Sequence, residues 1–191
     1  MKQATLSDKE IVLEMLEQSF ENNSTVVAFS RVLNGSPKIR PLLEYAFHYS
    51  LARGGVYLSD DRTCVAFFNP THKKGRWMDW IHLLRFLIFG ARLSKIRSIY
   101  RHFKKVKEYR SETNRAYHFW FLASSDASTL KSSLKFTHEL IYMAINEQCN
   151  VYAETSGIKN ELVYKRYGFD TYNIVKNEEL NLVSYLMKKT A

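Results

Sequence analysis

Apolar residues recur at helical spacing near the start of the chain. Ile11, Val12, Met15, Leu16 and Phe20 predict an amphipathic helix opened by Ser7 or Asp8 as N-cap, and Asn22-Asn23-Ser24 interrupts it. Pro37 and Pro41 open a second predicted helix, with Leu42, Leu43, Tyr45, Ala46, Tyr49 and Leu51 on its apolar side and Gly54-Gly55 at its end. The pattern then changes to short apolar runs. Val56-Tyr57-Leu58 and Cys64-Val65-Ala66-Phe67-Phe68 flank Ser59-Asp60-Asp61-Arg62, which predicts a hairpin.

Helical period returns over residues 77–109. Trp77, Trp80, Ile81, Leu84, Phe86, Leu87, Ile88 and Phe89 wrap most of the segment, while Arg85, Arg92, Lys95, Arg97, Arg101, Lys104 and Lys105 supply positive charge. Arg85 and Arg92 break a stretch already shorter than the roughly 20 apolar residues of a membrane span. Two readings remain: helices packed on a sheet with snorkelling basic ends, walling a pocket, or an amphipathic element lying on a membrane surface. The first is preferred, with Gly90-Ala91 as the break between two helices. Next, His118-Phe119-Trp120-Phe121-Leu122-Ala123 is nearly continuous in bulky residues, the pattern of a strand buried on both faces. A serine-rich turn leads to a helix with Leu134, His138, Ile141, Ala144 and Ile145 on one side. A strand at 151–155, a short helix ending at Gly168 where positive φ is expected, and strands at 169–175 and 182–187 complete the chain.

The composition adds bounds. The 191 residues, 46% hydrophobic and 25% charged, fit one compact domain, 1–191. A net charge of +9 favours anionic partners, but the excess lies between Lys73 and Arg115 and so describes one region. Cys64 and Cys149 form no CxxC pair, and His72, His82, His102 and His138 have no metal-ligand spacing. No zinc site, disulfide framework or other metal is indicated, and the default setting is reduced and cytoplasmic. The first ten residues lack the apolar run of a signal peptide. No nucleic-acid motif is present. No Ser-His-Asp or Cys-His arrangement points to covalent catalysis.

The segment from Tyr152 to Phe169 reads as strand, loop, short helix, glycine and new strand. Glu154, Thr155 and Ser156, followed by Asn160, Tyr164, Gly168 and Phe169, resemble in order and spacing a signature of the GNAT superfamily, the acyl-CoA-dependent N-acyltransferases. The resemblance implies an α+β fold: a mixed, mostly antiparallel sheet flanked by helices, with a helical insertion at about 77–110 and a cofactor-binding core at 117–175. It implies two diverging strands, with Leu122, Ala123 and Ser124 along the pantetheine arm of acetyl-CoA. It also implies a pyrophosphate loop before the helix at about 130, where the family carries glycines. Here residues 124–134 hold none, and Ser128, Thr129, Lys131, Ser132 and Ser133 are the candidate cofactor-binding residues. The same serines and threonine also read as an ordinary helix N-cap. Asn160 would bind the cofactor or cap its helix.

The implied activity is transfer of an acetyl group from acetyl-CoA to a primary amine by direct transfer in a ternary complex. A free alkyl amine has a pKa near about 10.4, so a base must remove a proton, and the departing thiolate benefits from a donor. Tyr164 is the family's usual donor and Glu154 the candidate base; a core tyrosine and a structural strand glutamate are the plain alternatives. His118 has a suitable intrinsic pKa, although a strand-start histidine is commonly structural. The expected partner is a small-molecule amine, with the chain monomeric or homodimeric and without nucleic acid. A protein of this fold with lost or altered cofactor binding, serving as a ligand-binding or interaction module, is the second reading. Peripheral membrane contact through 77–110 ranks below both.

Overall fold

The bulky run at 118–123 becomes the middle of a sheet because its side chains find hydrophobic partners on both sides. In the computed structural model, which describes residues 1–73, 75, 79–110 and 115–191, seven strands pair in the order β1-β4-β5-β6-β7-β9-β8. These are β1 (Lys2–Gln3), β4 (Val56–Leu58), β5 (Cys64–Pro70), β6 (Ala116–Ser124), β7 (Asn150–Thr155), β8 (Asp170–Asn177) and β9 (Leu182–Lys189). Only β6 and β7 run parallel; the remaining pairs are antiparallel, so the mixed, mostly antiparallel α+β sheet expected from the sequence is the one observed. The parallel pair needs a crossover, and α6 (Leu130–Asn146) supplies it.

Helices cover both faces. On one, α1 (Lys9–Phe20) and α3 (Arg40–Leu51) bury Leu13, Leu16, Leu43 and Phe47 with Phe67 and Phe121. Beside them α5 (Ile96–Tyr109) places Val106 on Val175 and Leu186. The opposite face packs Phe136, Leu140 and Ala144 of α6 with Phe68, Phe119, Phe169 and Met187. Helix α7 (Ile158–Arg166) adds Tyr164 to the edge of that core.

Several expectations change for identifiable reasons. Asn23 does not merely interrupt: its Oδ1 accepts from the amides of Thr25 and Val26 and caps a further helix, α2 (Ser24–Phe29). Pro37 opens no helix. It lies in β3 (Ser36–Pro37), which pairs with β2 (Val32–Leu33) across Asn34-Gly35, both at positive φ as a two-residue hairpin requires. The buried stripe of α6 runs through Phe136, Thr137, Leu140, Ile141 and Ala144, whereas Leu134 and His138 face solvent. Asp8 stands at the start of α1, but its carboxylate accepts from the Thr5 amide and the Arg62 guanidinium, not from the helix.

The apolar and basic segment at 77–109 forms two helices, α4 (Asp79–Phe89) and α5, separated at Gly90-Ala91 as expected. Trp77, placed by the sequence pattern at its start, lies outside the described residues. The apolar positions of α4 are not all packed: Phe86 is buried, while Trp80, Ile81, Leu84, Ile88 and Phe89 are exposed.

Candidate active site

Strand β6 behaves as two strands. From Ala116 to Phe119 it hydrogen-bonds β5 on one side and β7 on the other, with register Ala116↔Asn150 to Phe119↔Ala153. Beyond Phe119 the pairing with β7 ends, and β6 continues to Ser124 bonded to β5 alone, while Glu154 and Thr155 pair only with β9. A bulge sits at the parting point. Phe67 and Phe68 are adjacent on β5 but oppose Phe121 and Phe119, leaving Trp120 as the extra residue. The insertion resets the alternation, so Phe119 and Phe121 enter different cores. The result is a notch with an unpaired backbone edge at Trp120–Ser124, at the carboxyl ends of the two parallel strands, where open sheets receive ligands.

The chain closes over this notch at its ends. Ser19 of α1 donates to the carbonyl of Ser124 at 3.3 Å, and Ser24 of α2 donates to Ser156 at 2.9 Å, so the α1–α2 junction touches both parting strands.

On the α1/α3/α5 face of the sheet stands a partly buried charged group. The β6/β7 register puts His118 beside Tyr152 and brings Glu154, two residues further on, to the same face. Glu154 Oε2 lies 2.6 Å from His118 Nε2, and its Oε1 accepts from Arg110 Nη2 at 2.7 Å. Burial alone would raise the Glu154 pKa, but the His118 and Arg110 partners outweigh it and bring it down to about 2. Burial, reinforced by Arg110, lowers the pKa of His118 against the opposing pull of Glu154. An ionised Glu154 accepts only, so a neutral His118 donates from Nε2 and keeps its lone pair on Nδ1.

Tyr164 approaches from the other face. Its ring stands edge-on to Phe119 at 6.2 Å and to Phe169 at 5.3 Å. Burial raises its pKa, and the nearby Glu154 charge raises it further, so the phenol keeps its proton. Asn160, on the same helix, is exposed and does not cap it; Gly157 is the N-cap, since its extended backbone begins the helix without a side-chain bond. Gly168 has φ +80, as the end of α7 requires.

The serine-rich segment is drawn into its own network. Thr129 caps α6 by accepting from the Ser132 amide at 3.1 Å. Ser128 and Ser133 share a hydrogen bond at 3.0 Å, Ser133 Oγ also reaches the Thr129 carbonyl, and the buried Cys64 thiol lies 3.2 Å from Ser128. Ser132 Oγ donates to Asp61 Oδ2 at 2.6 Å. Bonds from Ser132, Ser59 and Thr63 hold Asp61 ionised well below the usual carboxylate range. Lys131 is exposed beside this cluster, and Leu122, Ala123 and Ser124 lie along the unpaired edge.

An aromatic wall borders His118. His118 stacks at 6.2 Å on Trp120, which meets the edges of Tyr49 at 5.3 Å and Tyr45 at 6.4 Å; Tyr45 in turn stacks on Phe86 of α4. Burial pushes the Tyr45 phenol up to about 12, so it stays protonated. Arg53 covers the Tyr49 ring at 3.4 Å and pairs with Asp79 at 2.8 Å. Sequence reasoning did not single out Arg110, Asp61 or this wall. The glutamate–histidine pairing was signalled only by strand parity, which acquires meaning once the β6/β7 register is known. Arg110 carries no local signal, being one of many basic residues between Lys73 and Arg115. Among the described residues no cluster of His, Cys, Asp or Glu is arranged to hold a metal.

Sheet order, the parted parallel strands and the flanking helices define the GNAT acyltransferase fold. An acetyltransferase related to histone acetyltransferase HPA2, from Corynebacterium glutamicum, superposes with TM-score 0.65 at 16% identity, covering 99% of this chain and 94% of that one. Arylalkylamine N-acetyltransferase 2 from Aedes aegypti gives 0.64 at 14% identity, covering 99% and 97%. The polyamine N-acetyltransferase of Drosophila melanogaster gives 0.57 at 11% identity, covering 100% and 98%. No family sequence model matches the chain, and no curated protein is significantly similar in sequence.

Proposed function

We propose that this chain is an N-acetyltransferase that moves an acetyl group from acetyl-CoA to a primary amine bearing an apolar or aromatic group. The observation that carries the proposal is the meeting, at the parting of β6 and β7, of an unpaired strand edge, the His118–Glu154–Arg110 group and the protonated Tyr164.

The residues fit acetyl-CoA unequally. Along the edge that β7 leaves open, the backbone of Leu122, Ala123 and Ser124 is where an amide-containing arm would bond, with the Ser124 carbonyl already accepting from Ser19. The first turn of α6 offers amides and a favourable dipole to phosphates, with Lys131 alongside; Asn160 stands exposed on α7 for a further contact. Against this, the hydroxyls of Ser128, Ser132 and Ser133 are already bonded within the protein, and Asp61 brings negative charge to that turn. The pyrophosphate would therefore rest on first-turn backbone amides and Lys131 more than on serine hydroxyls, with the Thr129 hydroxyl already accepting from the Ser132 amide as the helix cap.

Acetyl-CoA, when bound, supplies a thioester-activated acyl group. His118 takes the proton of the attacking amine at Nδ1, and Glu154 acts as a positioning residue that fixes the imidazole through Nε2. This differs from the sequence expectation for Glu154: a carboxylate held down to about 2 is a weak base at neutral pH. As nitrogen bonds to the acyl carbon and the carbon–sulfur bond breaks, Tyr164 holds a proton for the departing sulfur. Trp120, Tyr45 and Tyr49 receive the apolar part of the amine. Cys64 and Cys149 are both buried and form no disulfide, which supports a reduced, cytoplasmic setting.

Asp61 at the α6 turn is the observation that favours the second reading, a binding module of the same fold without cofactor chemistry. Titration calorimetry with acetyl-CoA, using desulfo-CoA and ATP as controls, separates the two. CoA-selective binding at micromolar or tighter concentration is expected, followed by turnover in a panel of aryl and alkyl amines. No binding up to about millimolar, weaker than roughly 4 kcal/mol, would leave the binding-module reading.

A further inference from the structure

Helix α4 is held by one face and unpartnered on the other. Its inner side packs Phe86 on Tyr45 and stacks His82 on His48 at 3.7 Å. Its outer side is formed by Trp80, Ile81, Leu84, Arg85, Ile88 and Phe89, positions that share one half of the helix circumference. Five of these six are apolar, and Trp80 at 73% and Phe89 at 63% exposure present large rings to solvent. The exposed apolar run continues past the helix end with Leu93 and Tyr100. Solvent does not favour such a face, and its composition points to what does.

Between residues 79 and 110 stand nine Lys or Arg residues and only Asp79 and Glu108 as acids. Asp79 is taken by Arg53 and Glu108 by Lys104. Arg85, Arg92 and Arg97 are exposed around the apolar run. A second copy docked symmetrically on this face would set basic residues against basic residues, a costly juxtaposition. An anionic lipid surface complements both properties at once, because Trp, Phe, Leu and Ile enter the headgroup boundary while arginines meet phosphate. No helix of the described residues is long and apolar enough to cross a membrane, so contact of this kind is interfacial.

We infer that the outer face of α4, continued by Arg92, Leu93 and Arg97, docks the protein on an anionic membrane surface. The inference is independent of the proposed transfer reaction. Sedimentation of the full chain with phosphatidylcholine vesicles, with and without phosphatidylserine, tests it. The chain is expected to pellet with the phosphatidylserine vesicles, to be released by added salt, and to stay largely in solution with phosphatidylcholine alone. Trp80→Ser/Leu84→Ser/Ile88→Ser, all at exposed positions, is expected to weaken pelleting by roughly tenfold or more, because binding scales with the apolar area inserted. Arg85→Glu/Arg92→Glu/Arg97→Glu is expected to abolish the preference for phosphatidylserine. Wild-type chain left in solution with both vesicle types would overturn the inference, as would a serine variant that pellets like wild type. Sedimentation velocity showing a wild-type dimer that the serine variant dissociates would also overturn it, by assigning the face to a second copy.

Discussion

The two halves of β6 share a strand and a similar composition, yet they serve different ends. Ala116–Phe119 is bonded on both edges, and its side chains are fixed: Phe119 in one core, His118 against Glu154 on the other face. Trp120–Ser124 keeps one bonded edge and leaves the other open. Neither hydrophobicity nor strand propensity separates the halves. One extra residue, Trp120, bulges from the pairing with β5 at the point where the pairing with β7 ends, and beyond it the β7-side edge is open. On the proposed reading, the paired half positions and the open half receives.

The comparison is tested hardest at His118. His118→Ala is expected to lower kcat by about 10²- to 10⁴-fold, the usual contribution of a positioned base, with the fold intact by circular dichroism. In the wild-type chain the proposed transfer is expected to show a kcat that rises with pH through an apparent pKa below 6.5, since burial lowers the histidine. A profile flat from pH 5 upward would move the role to Glu154 and collapse the assignment.

Phe119→Ala sharpens the structural side. Its fully buried ring in the paired half is expected to cost about 3–5 kcal/mol in urea unfolding, while Leu122→Ala, half-exposed on the open half, costs far less. Equal costs would mean that Leu122 is packed as firmly as Phe119. Tyr164→Phe comes next, with kcat reduced by about a hundredfold and acetyl-CoA affinity nearly unchanged. An affinity loss that matches the kcat loss would make the tyrosine a binding group.

Asp61→Asn is a smaller test at the α6 turn. Removing the anion near the amides proposed to receive phosphate is expected to tighten acetyl-CoA binding by about 0.3–1 kcal/mol, read by calorimetry. Weaker binding would show that Asp61 organises the turn for the cofactor. The gentlest effect is on stability against pH. His48, lowered to about 4, and His82, His102 and His118, all lowered, stay neutral in the folded chain while the unfolded chain takes up protons below about 6.5. Melting temperature is therefore expected to fall as pH drops from 6.5 toward 4. Glu154 adds a further loss from 4.5 down toward 2, because protonation removes a carboxylate that the fold holds ionised. A melting temperature constant from pH 7 to 5 would contradict the histidine contribution.

Local chemistry made much of this legible from residues alone. Period and punctuation placed α1, α3, the β4–β5 hairpin, β6, β7 and α7, because amphipathic spacing and turn residues act within a few positions. The need for positive φ at Gly168 could be read directly, since it depends only on how a helix ends. The Glu154-to-Phe169 spacing pointed to the fold through a segment whose order is itself local.

What the sequence left open depends on partners distant along the chain. Glu154 acquires His118 and Arg110, 36 and 44 positions away, only when β6 and β7 pair in one register and α5 ends above them. Ser132 meets Asp61, 71 positions away, through the β4–β5 turn, so a loop that reads as available hydroxyls is largely satisfied. For the apolar residues of α4 the sequence left packing on the sheet and lying at a surface both open, with packing preferred, because hydrophobicity records preference and not supply. Only the packed structure shows that α3 offers enough surface to cover one side of that helix and leaves Trp80, Leu84 and Ile88 outside.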